Sequence, residues 1–509
     1  MATAGTAFAA PSASTPSPIE STQDPSVGPD FVGTPAEAQP LDPAPTIQPE
    51  VGTLHGDGGN TKAFNGPGPL GSDLQVSSAS MEPTVFLWSP DGRLTGTESP
   101  LLSSKPGSAV TALDPKTMAE KARWEAPEGQ TLNVYVSQRA DGTVLASSRE
   151  GQITVLKRED TADETTFTEQ KTYDLAAVGL LEDGQGLLAT AFDETGNIWF
   201  TLGGVGNLDQ STVTSTKLGY LDGEGKAHAL DVEGQRVENG MAVQGNTVYV
   251  NTSPAGTSDH ADAEGYFYAL TAGTGESPEV LWRQTYDAGD DSKPPHFSRG
   301  SGTSPTLLGD RYVAITDNAD DQVNVEVYRQ EPAGEGESQR VCSVPVGGEN
   351  PSGVDNAMVG YVDGGTSSLL VQNTYGGPSF YQGDDDIDGS WNDMSAMPGG
   401  MQRIDISDDG TCSIKWNNAD KLKAIPVLST ETGLVYGYGQ EPDLAADGTY
   451  VWYAEAIDFR TGETVWKKRV GAGGHYNDNW QIGSLGPDGT FYQTVEDGVV
   501  TFRDGDSAS

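Results

Sequence analysis

Eight two-residue turn signals punctuate this chain at a regular interval: Asp91-Gly92, Asp141-Gly142, Thr195-Gly196, Gly245-Asn246, Gly309-Asp310, Gly364-Gly365, Thr432-Gly433 and Asp488-Gly489. Each joins two short runs rich in β-branched and aromatic residues, the pattern of a tight hairpin. Tyr312-Val313-Ala314-Ile315 and Leu434-Val435-Tyr436-Gly437-Tyr438, for example, each follow one of these turns as a second strand should. The step between turns is about 50 to 70 residues, enough for one four-stranded sheet and its connections. From Val85 onward no stretch has a helical period. The sequence therefore predicts an all-β chain folded as a single β-propeller of eight blades. Seven is the alternative, because the first unit, around Val85-Phe86-Leu87-Trp88, is weakly defined.

A second pattern follows the third and fourth strands. In Ala456-Ile457-Asp458-Phe459-Arg460-Thr461-Gly462-Glu463-Thr464-Val465-Trp466 a strand ends in Asp, Thr-Gly turns the chain, and Trp packs on the return strand. Looser copies run from Ala112-Leu113-Asp114 to Trp124, from Ala269-Leu270 to Trp282 and from Ile404-Asp405 to Trp416. The pattern resembles the repeat of the quinoprotein dehydrogenase-like propellers, a superfamily named for proteins that bind pyrroloquinoline quinone. The resemblance implies the fold and says little of chemistry, since the same repeat occurs in propellers without a quinone. That family commonly sets an adjacent cysteine pair over its cofactor. Cys342 and Cys412 cannot imitate such a pair, so no organic cofactor is expected.

Eight first hairpins and about eight third strands, the last being Val499-Val500-Thr501-Phe502, meet only seven fourth strands. Closing the ring requires the missing strand from elsewhere, and a strand before Val85 is the expected donor, with Asp73 to Val76 a candidate. The two cysteines are too few and too far apart for a paired-cysteine zinc site. They fall in consecutive blades, where one disulfide is the economical reading and two free thiols the alternative.

Composition bounds the partners. The chain has 509 residues, a net charge of −45 and a pI near 4.1. Such a surface repels nucleic acid and anionic membrane faces and leaves cations, neutral sugars and small molecules as partners. No run of about 18 apolar residues is present, so no transmembrane segment is expected, and a monomer is the simplest assembly. Residues 1–80, rich in Pro, Ala, Ser, Thr and Gly, read as a disordered tether, with Ala7-Phe8-Ala9-Ala10-Pro11 as the remnant of a secretory signal. Residues 81–505 are expected to form the propeller, in a secreted or envelope-attached, extracytoplasmic protein.

Strand order places the long connections on one face, opposite the tight turns, and long loops on a rigid scaffold are where binding residues gather. Two units there repeat a pattern: Glu238-Asn239-Gly240-Met241 followed by Asn251, and Asp355-Asn356-Ala357-Met358 followed by Asn373. His296 with Arg299, His475 with Tyr476 and Asp478, and Glu349 fall in the same set of loops, as does His260. These residues form the candidate ligand site, with amides to donate and accept hydrogen bonds and carboxylates for acid–base work. The competing reading is that the amides tie strand ends together and the histidines are solvated.

In the longest loop, Asp384, Asp386 and Asp388 alternate ahead of Gly389, with Asn392 at the ninth position, the opening of a calcium loop. The expected cofactor is therefore Ca²⁺ in a structural role, and Ser395 at the twelfth position departs from an EF-hand. The expected function is binding of a neutral or cationic small molecule or a glycan at the long-loop face of the central channel. A metal-assisted hydrolase or lactonase is the alternative, with Asn239, Asn356, Glu238 and Asp355 around the metal, and a quinone-dependent dehydrogenase ranks third.

Overall fold

Each turn closes the hairpin expected of it. The computed structural model describes residues 15–505 except 48, 102, 183, 204–212, 256–262, 382 and 384–385. Eight sheets follow one another in a ring. Val85–Trp88, Leu94–Glu98, Ala109–Leu113 and Glu120–Glu125 make the first blade, and each later blade repeats the up-and-down order from the channel outward. Ring closure takes the form expected. Gly483–Leu485, Phe491–Val495 and Gly498–Arg503 supply three strands of the eighth blade, and Gln75–Ser80 adds the outer fourth, pairing Val76 with Phe502.

The core lies between sheets. Second strands such as Leu94–Glu98, and first strands such as Leu187–Phe192, are buried on both faces, because each sheet is sandwiched between neighbours. Outer strands such as Glu120–Glu125 alternate between buried and exposed. The repeated Trp residues dock one blade on the next. Trp124 Nε1 donates to Glu169 (2.7 Å), Trp282 Nε1 to the Gln330 carbonyl (2.8 Å) and Trp416 Nε1 to the Phe459 carbonyl (2.9 Å). A register shift recurs in these outer hairpins: in the fourth, sixth and seventh blades it falls directly before Trp282, Trp416 and Trp466. A bulge re-aims the following side chain, here into the neighbouring blade. Loss of such a ring from a core costs about 3–5 kcal/mol.

The amino-terminal stretch corrects the tether expectation. Residues 15–80, apart from 48, lie against the propeller over their whole described length. Phe31–Gly33 extends the outer edge of the seventh blade by pairing with Trp466–Lys468. The chain then enters the central channel and threads past the inner edges of successive blades. Gly52 exchanges amide hydrogen bonds with Gln138 of the second blade, and Glu50 accepts the Phe192 amide of the third. The carbonyls of Gly58, Gly59, Thr61 and Lys62 take the amides of Val243, Leu307, Gly360 and Leu428 in the fourth to seventh blades. Ala63–Phe64 finally runs parallel to Val427–Ser429.

The physical reason is that a propeller's innermost strands present unpaired edges to the channel, and buried backbone donors need acceptors. A Gly-rich chain meets them through its backbone without an apolar core of its own. Gly59 shows why a side chain is excluded: a Cβ there would lie 2.9 Å from Ile47.

Candidate functional site

The first strands run from the long-loop face towards the turns, so the segments just before them ring the channel mouth. The repeated asparagines stand in this ring and act alike. Asn239 Nδ2 donates to the Ser301 carbonyl at 2.9 Å, spanning the fourth and fifth blades. Asn356 Nδ2 donates to the Lys423 carbonyl, spanning the sixth and seventh, and Asn133 Nδ2 reaches the Leu187 carbonyl at 2.8 Å between the second and third. The repeat is thus a strap between neighbouring blades. Asn373 folds its own loop, donating to Pro351 and accepting the Gly353 and Tyr375 amides. Asn251 is buried, and its Oδ1 meets no donor among the described residues.

Glu238 and Arg299 come together around the 288–300 loop. The Glu238 carboxylate pairs with Arg236 at 2.7 Å and accepts the Arg299 amide at 2.9 Å. The Arg299 guanidinium in turn donates to the carbonyls of Ala288, Gly289 and Asp290. Beside them, Asp355 is half-buried, and burial pushes its carboxyl up to about 7 against the opposing pull of Ser298 hydrogen bonds. His296 is exposed, with Nδ1 3.0 Å from the Ser292 hydroxyl. Glu349 is exposed in the Gly347–Asn350 turn. His475 and Tyr476 are engaged elsewhere: Nδ1 of one contacts the Glu20 carbonyl, and the hydroxyl of the other donates to the Ile19 carbonyl. His260 lies outside the described residues.

Asp478 is wholly buried with Lys423, their charged atoms 3.0 Å apart. Burial is the largest influence on both, drawing the lysine down and the carboxyl up. Lys423 also donates to Asn477 Oδ1 at 2.6 Å and lies 5.8 Å from the ring centres of Trp452 and Trp480. A pair this deep sets geometry more than stability, because desolvation offsets much of its attraction.

Above this pair sits a feature sequence reasoning missed. Phe297 from the loop before the fifth blade stacks on Phe380 from a sixth-blade loop, with ring centres 4.2 Å apart. Phe297 also meets Trp480, from the loop before the eighth blade, edge to face at 4.8 Å. Loops three blades apart touch only by crossing the mouth, so these rings cap it. Trp480 is fixed by its Nε1 bond to the Pro378 carbonyl and by left-handed backbone at Asn479 and Trp480. Phe297 and Phe380 remain half-buried. No periodic pattern marks them, since each stands alone in an irregular loop.

In the expected calcium loop, Asp384 lies outside the described residues. Asp386 Oδ1 accepts the Asp388 amide, and Asp388 Oδ1 accepts the Thr22 hydroxyl (2.6 Å) and the Gly474 amide (2.9 Å). Asn392 is turned inward, donating to Ile387 and Gly389 and accepting from Asn477. Among the described residues no group of three or more His, Cys, Asp or Glu gathers as a metal set. Cys342 and Cys412 form a disulfide between the outer strands of the fifth and sixth blades.

No family model matches the chain. A protein of Archaeoglobus fulgidus, described as uncharacterized, is 26% identical over 270 residues, which are 48% of this chain and 51% of that protein. The chain thus spans about half the length of the curated relative it matches. Among solved structures, the quinohemoprotein alcohol dehydrogenase of Comamonas testosteroni superposes with a TM-score of 0.54 at 12% identity, covering 91% of this chain and 82% of that one. The WD40 domain of SCAP from fission yeast gives a TM-score of 0.44 at 10% identity, covering 85% of this chain and 99% of the other. At these identities the likeness to the dehydrogenase is one of fold: the chain is an eight-bladed β-propeller similar to those of the quinoprotein dehydrogenase-like group.

Proposed function

We propose that this protein is an extracytoplasmic binding propeller that takes a neutral or cationic small molecule, or a glycan, on the aromatic platform at its long-loop face. The observation that carries the reading is the meeting of Phe297, Phe380 and Trp480 over the channel mouth, with two of the rings half-exposed. Aromatic faces attract cations and the apolar faces of sugar rings, by roughly 0.5–2 kcal/mol per cation contact. The field of a chain with net charge −45 concentrates cations there and disfavours anions. A disulfide fits an oxidising compartment, and no helix among the described residues is long and apolar enough to cross a membrane.

The hydrolase reading has less support. Asn239, Asn356 and Glu238 already tie loops and blades together, and the channel beneath them holds the protein's own chain. A calcium ion at Asp384, Asp386 and Asp388 remains part of the proposal as a stiffener of the loop that carries Phe380, not as a reactive centre. Trp480 lies under the platform and reports on it. Titrating a panel of neutral oligosaccharides and quaternary ammonium compounds should change its fluorescence, and Phe297→Ala with Phe380→Ala should abolish the response. A response that survives both substitutions would move the site elsewhere.

A further inference from the structure

The opposite, hairpin-turn end of the channel carries a cavity. The threaded segment hydrogen-bonds through its backbone to the inner strands of the second to seventh blades with the third reached through Glu50, and it leaves a gap towards the eighth and first. A cavity of about 260 Å³ occupies that gap, lined by Phe64, Phe86, Trp88, Ser484, Asp57 and Lys62 among others. Its walls are mainly apolar and aromatic. Lys62 is only 6% exposed, and no carboxylate pairs with it among the described residues. Its ammonium nitrogen donates to the Gly483 carbonyl at 2.7 Å. The Lys62 backbone is held at φ 51°, a left-handed conformation rare for a long side chain and retained where surroundings dictate it.

A buried ammonium without a counter-charge is an unmet interaction. We propose that this cavity binds a small apolar carboxylate, with Lys62 as its counterion and Trp88, Phe86 and Phe64 enclosing its hydrocarbon part. The titratable neighbours of Lys62 come from its own segment, His55 and Asp57. The strands of the first, seventh and eighth blades contribute none to the lining. Asp57 does not compete for the lysine, since Oδ1 takes the Gly59 and Thr61 amides and Oδ2 the Thr61 hydroxyl. Burial lowers Lys62 to about 7, so above that pH the empty site holds a neutral amine. A carboxylate would then enter with one proton, and the pair carries no net charge into an otherwise anionic protein. The volume is that of a ligand smaller than drug size.

Isothermal titration of the full chain with phenylacetate and with uncharged phenylacetamide, at pH 8 in two buffers of different ionisation enthalpy, tests this. Phenylacetate is expected to bind at least tenfold more tightly than the amide and with uptake of about one proton, as a charge-assisted hydrogen bond implies. Lys62→Met, checked for folding by its thermal melt, should remove that preference, whereas Phe297→Ala with Phe380→Ala should leave it intact. Equal affinity for acid and amide, no proton uptake, or no heat from phenylacetate, benzoate and cyclohexanecarboxylate alike would each overturn the proposal on the unmodified protein. Loss of phenylacetate binding in the platform variant would reassign it to the other face.

Discussion

Glu50 puts a carboxyl in the middle of the propeller, with one oxygen held by the Phe192 amide at 2.7 Å. The other oxygen meets no donor at full hydrogen-bond geometry among the described residues, although the Ser137 hydroxyl is nearby. Burial is the dominant influence and raises the group to about 7 from 4.5. Between those values the folded chain retains a proton that the unfolded chain has released. Stability is therefore highest below the unfolded value and falls as pH rises through the folded one. Glu50→Gln keeps the acceptor for Phe192 and removes the titration. It should raise the melting temperature at pH 8 by an amount equivalent to roughly 1–3 kcal/mol and leave it unchanged at pH 4. Melts at pH 4, 6 and 8 decide the matter, and a shift independent of pH would refute it. At this scale the sequence was partly readable. The Asn239 and Asn356 repeat was visible as a pattern, but an amide that grips a neighbouring carbonyl and one that grips a ligand look the same in a string of letters. Lys62 offered a subtler sign, being the only Lys or Arg in the first 80 residues.

At the level of elements, the strands divide by how they are recognised. Outer and middle strands are specified by side chains, Trp124, Trp282 and Trp416 above all, and their positions follow from the repeat. The Gln75–Ser80 strand was legible for another reason: seven fourth strands cannot close eight blades, so one had to come from ahead of Val85. The threaded segment left no comparable trace. It is held chiefly by backbone carbonyls on the amides of Val243, Leu307, Gly360 and Leu428, and backbone pairing imposes no apolar period. Its Gly and Pro content suits close approach to strand edges as well as it suits disorder. A chain beginning at Gly66, which keeps the closing strand, should retain its β-sheet circular dichroism. Hydrogen exchange at those four amides should accelerate by at least a hundredfold, while the Trp-docked strands keep their protection. Unchanged exchange at the four positions would mean that the segment does not cover them.

On the scale of the whole molecule, the ring is closed once by non-covalent pairing, extended at one outer edge by another, and pinned once by a covalent bond. Hydrogen bonds join Gln75–Ser80 to Gly498–Arg503, and the Phe31–Gly33 strand adds a further edge to the seventh blade. Eight blades, their closure and the long-loop face all follow from counting turns and strands. The contents of the channel and the aromatic cap do not, because both arise where irregular segments from distant parts of the chain converge. The Cys342–Cys412 disulfide joins the fifth and sixth blades across a sequence separation of 70 residues. A loop of that length, closed in the unfolded chain, removes conformational entropy worth about 4 kcal/mol in the loop-closure model. On the folded side, Val341 of the fifth blade's outer strand is half-buried and packs, like both cysteines, against a core cluster that the bond does not itself build. The double substitution Cys342→Ser with Cys412→Ser should therefore leave the folded spectrum and the Trp480 response unaltered, yet lower the urea midpoint. Adding reductant should shift the unsubstituted protein to the same lower midpoint and leave the variant where it is. A variant as resistant to urea as the oxidised protein would show that the unfolded chain is already confined by residual structure, and that the bond sets blade registry rather than stability.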